Sequence, residues 1–232
     1  MESGFLFNAL ISFTLSLISG VVAILFLREA RKQKLDLGIN FFLILFNLTI
    51  IYFFSGLRLA IESFLGDKPG LTILKITWTL VITQMVLITR FIFLKVFKRK
   101  KITAIATIIS SFFSILIIFL IFQQGFILIS KTYFITKYRF NDTAQLFFII
   151  QNASLVVLYL FFIFRSIANW FKRKIFEDPN SLLLVLMLLI FSIISFVEAR
   201  VGGWHLVLLR LINFFLPFLV YLVIIRIQDE KN

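Results

Sequence analysis

The chain has 232 residues, 61% of them hydrophobic and 17% aromatic, with 32 Phe against 9 Gly and 3 Pro, and a formal charge of +13. So much apolar surface excludes a water-soluble domain of this size. The absence of cysteine removes disulfide frameworks and thiolate sites, and a single histidine removes bis-histidine haem and multi-histidine zinc.

Apolar runs predict seven helices, at 5–27, 38–60, 71–91, 102–122, 146–164, 182–197 and 205–225. About 20 mainly apolar residues carry a helix across ~30 Å of hydrocarbon. The runs are continuously apolar, without the alternation of an outer-membrane barrel. Glu2 rather than a basic segment precedes the first run, and no small-residue cleavage site follows it, so it reads as a retained helix and not a secretory signal. The expected fold class is an all-α integral membrane protein, one domain over 1–232 built as a seven-transmembrane-helix bundle.

Charge sets the expected direction of that bundle. One alternating set of connections carries Arg28, Arg31, Lys32 and Lys34, then Arg90, Lys95, Lys98, Arg99, Lys100 and Lys101, then Arg165, Lys172, Arg173 and Lys174, and finally Arg226 and Lys231. The other set carries only Arg58, Lys68, Lys131, Lys137, Arg139 and Arg200. The positive-inside rule therefore predicts an outside amino terminus and a cytoplasmic carboxyl terminus, in the plasma membrane. In so apolar a chain the basic excess reads as topology and as contact with anionic lipid at the cytoplasmic face, not as nucleic-acid binding.

The longest connection lies after the fourth run. Its segment 131–140 (KTYFITKYRF) is rich in strand formers, and either a hairpin over the outer face or a segment lying in the headgroup layer suits it. Asn141-Asp142-Thr143 fits a glycosylation sequon. On the basic side, 168–176 (ANWFKRKIF) mixes aromatic and cationic residues, as an interfacial anchor does.

Charges inside a membrane cost on the order of 3 kcal/mol each at a helix centre, so each asks for a reason. Arg58, Glu62, Lys75, Glu198 and Arg210 all fall in the outer third of their spans and are expected to meet there. Helical spacing places Arg210, Asn213, Pro217 and Tyr221 in one stripe of the seventh run. Further stripes join Asn40, Asn47, Arg58 and Glu62; Asn8, Ser12 and Ser19; Thr107, Ser110, Ser111 and Ser114; and Gln145, Asn152 and Tyr159. Lipid penalises such stripes, which should turn inward. Lys75 and Gln84 fall on opposite sides of the third run. The candidate ligand-binding set is thus Arg58, Glu62, Lys75, Asn152, Glu198, Arg210 and Asn213. Its three basic and two acidic groups would leave one positive charge for a small anionic ligand, for instance a carboxylate. The plainer reading makes Arg58–Glu62 and Glu198–Arg210 structural ion pairs, and the Ser, Thr and Asn residues interhelical glue.

No aspartate lies within a span, and Gly-x-Ser-x-Gly, His-Glu-x-x-His and phosphate-binding loops are absent, so no enzyme, cofactor or metal site is expected. The seven-span, amino-terminus-outside plan resembles that of the rhodopsins and G-protein-coupled receptors in architecture. It departs from their motifs: the last run has Asn213 to Pro217 where retinal proteins carry a lysine, and no cysteine pair exists. Three roles follow as expectations. One is a receptor or sensor with an outward polar pocket, signalling through a separate cytoplasmic protein docked on 28–34, 95–101 or 165–174. The alternatives are a small-solute transporter, for which broken-helix Gly and Pro are scarce, and a non-catalytic subunit of a membrane complex.

Overall fold

The computed structural model describes residues 2–32, 38–97, 99–131, 136–173 and 179–198, together with 212, 215 and 218–222. Helices α1 (Glu2–Lys32), α2 (Gly38–Leu65), α3 (Asp67–Phe97) and α4 (Lys100–Gln124) precede a two-stranded hairpin, β1 (Phe126–Lys131) and β2 (Thr136–Phe140). Helices α5 (Asp142–Arg173) and α6 (Pro179–Glu198) follow. Five of these, α1 to α5, are long and apolar enough to cross a membrane. Backbone at 212, 215 and 218–222 is helical within the seventh predicted run, whose other residues lie outside the described set.

The helices outrun the apolar cores expected for them. At 1.5 Å per residue, the 31 residues of α1 reach ~46 Å, well beyond ~30 Å of hydrocarbon. The additional turns carry the charges, with Arg31 and Lys32 ending α1, where cations complement the helix dipole. Asp67 and Asp142 open α3 and α5, the favourable place for an anion. Pro179 stands first in α6, where its missing N–H leaves no intrahelical bond unmade.

Successive helices pack antiparallel. Phe26, Phe41 and Phe91 run as a tilted ring ladder through α1, α2 and α3, with centroids 5.0 and 5.3 Å apart. A single residue, Gly66 at φ 84°, separates α2 from α3, and Gly125 at φ 71° separates α4 from β1. Both take a positive φ, which glycine adopts without steric cost. In α4 the side chains Ile105, Ile108, Ile109, Phe112, Ile115, Phe119 and Phe122 are all exposed, an apolar face that lipid covers.

Of the two expectations for segment 131–140, the strand pairing is the one observed. It starts earlier than expected, because β1 takes in Phe126 to Ser130. The register sets Phe126 opposite Phe140 and Leu128 opposite Tyr138, with an irregularity between Leu128 and Ser130. Trp78 of α3 meets Phe140 edge-on at 4.6 Å and Phe148 of α5 at 5.4 Å, and Phe126 lies 5.6 Å from Phe140. These rings fasten the hairpin onto one end of the bundle. Asn141 then caps α5, its Oδ1 accepting from the N–H of Thr143 at 3.4 Å. The sequon asparagine thus uses its side-chain oxygen as a helix cap. Helix α5 also continues to Arg173, so the first part of the aromatic and basic segment 168–176 is helix rather than loop.

Candidate functional site

At the hairpin end, Arg58 and Glu62 sit one turn apart on α2 and are both buried. Arg58 donates from Nε to Glu62 Oε1 at 2.8 Å and from Nη2 to Oε2 at 3.4 Å. Desolvating two charges is costly unless they pair this closely, and three elements hold the pair together. Gly70, in the first turns of α3, lies against the Glu62 side chain, and a Cβ there would fall 2.9 Å from Oε1 and 3.0 Å from Cδ. Glycine is thus required by close approach, so that α3 can shield the carboxylate. From above, the Tyr138 ring of β2 covers Arg58, whose guanidinium carbon is 5.8 Å from the ring centroid. A cation over an aromatic face gains roughly 0.5–2 kcal/mol, more as water is excluded. Burial, followed by the nearby negative charges of Glu62 and Asp67, pushes the Tyr138 phenol up to about 12, while Arg58 pulls the other way.

Lys75 is not part of this cluster. Its Nζ donates to the carbonyl of Phe122 at 3.5 Å and lies 5.3 Å from that ring's centroid. It therefore serves the carboxyl-terminal turn of α4, where unsatisfied carbonyls and the helix dipole attract a cation. The expected convergence of Arg58, Glu62 and Lys75 reduces to Arg58 and Glu62, because Lys75 leans across to the next helix. Asn152 is buried on α5. Glu198 ends α6, with its side chain outside the described set, as are Arg210 and Asn213 entirely. Tyr221 is 41% exposed beside buried Val220, so this end of the seventh-run stripe faces outward rather than inward. A tyrosine ring with one polar tip suits the membrane–water boundary.

Two further polar assemblies lie deeper. Asn47 donates to Gln84 Oε1 at 2.7 Å and to the Leu80 carbonyl at 3.0 Å, while Gln84 donates to the Ile44 carbonyl at 3.1 Å. This closes a reciprocal clasp between α2 and α3. The opposite-face reading of Lys75 and Gln84 holds, each turning to a different neighbour. The second assembly joins three helices, with Gln151 of α5 donating to Ser114 Oγ at 2.8 Å and Ser110 Oγ at 3.2 Å, and Ser110 meeting Thr89 of α3 at 3.4 Å. Asn8, Ser12 and Ser19 are buried as their stripe predicted, and Tyr159 reaches Ser192 of α6 at 3.1 Å.

The sequence reading missed Gly70, Tyr138 and Gln151. Pro69-Gly70 at the start of an apolar run was the available signal for the first, since a glycine inside a helix often marks a close approach. Nothing local distinguishes Tyr138 from the other aromatics of its strand. Among the described residues no three His, Cys, Asp or Glu side chains come together as a metal site would require. At the opposite end, Arg28, Arg31, Arg90, Arg99, Lys100, Lys101 and Arg165 are exposed. The chain matches no protein-family model, and neither a curated protein nor a solved structure resembles it.

Proposed function

We propose that this chain is a receptor-like protein of the plasma membrane. On this reading it spans the bilayer seven times, with its amino terminus and hairpin outside and its basic end in the cytoplasm. The observation that carries the reading is the Arg58–Glu62 pair under Tyr138: a desolvated ion pair covered by an excursion of the chain that belongs to no span. A merely structural polar bridge between helices needs no such roof. An incoming carboxylate would compete with Glu62 for Arg58 and lift the hairpin. The change would pass down α2 and α3 through the Asn47–Gln84 clasp to the basic end. There a separate cytoplasmic protein would read it, beside anionic lipid attracted by the exposed arginines and lysines. Arg58 and Glu62 are the ligand-responsive residues in this account. Asn152, Glu198, Arg210 and Asn213 join the proposed ligand-binding set on their sequence positions alone, and Lys75 fixes α4 against α3.

The test uses purified full-length chain in lipid nanodiscs, challenged with a panel of small carboxylates in thermal unfolding. At least one should stabilise the wild type and leave Arg58→Gln unmoved, while none accumulates in proteoliposomes containing the protein. Tracer uptake would instead make the chain a transporter. Co-purification in fixed ratio with one partner, and no response to any carboxylate, would make it a complex subunit.

A further inference from the structure

Helix α3 runs past Arg90 to Phe97, so Arg90 belongs to the helix and not to the connection that its charge suggested. Its depth follows from its neighbours. The apolar run 102–122 of α4 covers ~30 Å at 1.5 Å per residue, the thickness of the hydrocarbon. Lys75 of α3 reaches the Phe122 carbonyl and so marks one boundary of that layer. About 20 residues further along α3, the length that crosses the hydrocarbon, stands Lys95. Arg90 lies short of it by ~7 Å, within the hydrocarbon. Helical Cα–Cβ bonds tilt toward the amino terminus, and α3 runs from the hairpin end to the basic end, so this side chain starts out leaning toward mid-bilayer.

The side chain is exposed there. Helix α3 turns Gln84 and Phe91 to α2, where they meet Asn47 and Phe41, while Ile82 and Thr89 meet Ser114 and Ser110 of α4. Between those two contact faces it exposes Ile76, Thr83, Arg90 and Phe97, a narrow stripe at seven-residue spacing. Thr83 spends its hydroxyl on the Thr79 carbonyl at 2.9 Å, so apart from Arg90 the stripe is an apolar lining. On the basic side Phe97 stacks on Phe93 at 5.2 Å, so rings rather than carboxylates lie between Arg90 and the boundary. Among the described residues Arg90 makes no ion pair. A full charge facing lipid without a partner is costly, which makes an intramembrane arginine a candidate site.

We propose that Arg90 and this stripe bind one anionic glycerophospholipid from the leaflet at the basic end. Its phosphate is drawn inward onto the guanidinium, whose planar fork grips two oxygens at once. One acyl chain then lies along Thr83 and Ile76. Exposed Arg28, Arg99 and Lys100 near the boundary repel the ammonium of a zwitterionic headgroup and so favour one of net negative charge. This differs from the general attraction of anionic lipid to the basic end, because it holds a single lipid by a residue inside the hydrocarbon. It is independent of the Arg58–Glu62 pair and of the direction in which the bundle faces.

The test transfers full-length protein from nanodiscs of phosphatidylglycerol and phosphatidylcholine in equal parts to mild detergent, and native mass spectrometry counts the lipid that stays bound. The wild type should retain one phosphatidylglycerol, favoured over phosphatidylcholine roughly tenfold, as one charge-assisted contact implies. Arg90→Gln should erase that preference, whereas Lys100→Gln, which takes the same charge from the basic end, should leave most of it. Phosphatidylglycerol carrying a diazirine in its acyl chain should label α3 between Ile76 and Arg90. Glycerophosphoglycerol, the same headgroup without chains, should not compete. Equal loss in the two variants would reduce retention to general attraction and overturn the proposal. So would equal retention of both lipids, no retained lipid, label confined to other helices, or competition by the soluble headgroup, which would make the ligand a free phosphate ester. Should Arg90→Gln fail to fold, the position of the label on the wild type decides alone.

Discussion

Replacing Gly70 with alanine probes how the buried ion pair is held. In isolation the change favours a helix by up to about 1 kcal/mol. Here the new methyl would overlap the Glu62 side chain, at 2.9 Å from Oε1 and 3.0 Å from Cδ. Glu62 has no latitude to yield, because both carboxylate oxygens are engaged by Arg58. It must either leave Arg58 or push α3 away from α2. Separating one partner of a buried pair costs about 3–5 kcal/mol, so Gly70→Ala should destabilise by a net of about 2–4 kcal/mol. Equilibrium unfolding in mixed micelles containing SDS measures this. The diagnostic comparison is with Glu62→Ala, in which the obstructing side chain is gone. In that background Gly70→Ala should be neutral or stabilising, a coupling of roughly 3 kcal/mol, well above the few tenths expected of independent sites. Additive effects, or a Gly70→Ala protein as stable as the wild type, would refute the reasoning.

Three further outcomes follow from the same geometry. The Tyr138 phenol should stay protonated until about pH 12, seen at 295 nm as the difference between wild type and Tyr138→Phe. Its folded pKa exceeds the unfolded value of 10.0, so its contribution to stability is fully present below pH 10 and is lost as pH rises toward 12. Glu62→Gln should bring the titration down, since that carboxylate helps raise it. Trp78→Ala removes the ring against which Phe140 and Phe148 pack, at a cost of about 3–5 kcal/mol. It should also speed tryptic cleavage at Lys131, Lys137 or Arg139, whereas an unchanged cleavage rate would show that the hairpin is held by other contacts. Asn47→Leu and Gln84→Leu should each destabilise, and the double variant should fall short of their sum by about 0.6–1.7 kcal/mol, the range found for interhelical polar contacts.

The existence of helices α1 to α5 was legible because length and continuous apolarity suffice for a membrane span, and these are local properties. Helix ends were less so, since α1 and α5 continue through charged turns that look like connections. The strands were half visible. Segment 131–140 announces itself by composition, whereas Phe126 to Ser130 reads like the tail of the preceding apolar run until Gly125 is seen to break it. Facing direction was recovered for some stripes, as for Asn8, Ser12 and Ser19 or for Ser110 and Ser114, but not at Tyr221, which faces outward. Partnership between helices was not, because a single sequence records which face is polar but not which neighbour it meets. Thus Lys75, at the right depth to join Arg58, turns to Phe122 of α4 instead. Gln151 lies one residue off the Gln145–Asn152–Tyr159 stripe and was passed over, although it holds three helices together.

The membrane orientation decides whether the hairpin roofs an outward site at all. Because the chain has no cysteine, single cysteines can be placed without background, at Thr136 in the hairpin and at Lys101 at the start of α4. A membrane-impermeant maleimide applied to intact cells should modify Thr136→Cys at once and Lys101→Cys only after permeabilisation. Labelling of Lys101→Cys in intact cells, with Thr136→Cys protected, would invert the protein and place the Arg58–Glu62 pair on the cytoplasmic side.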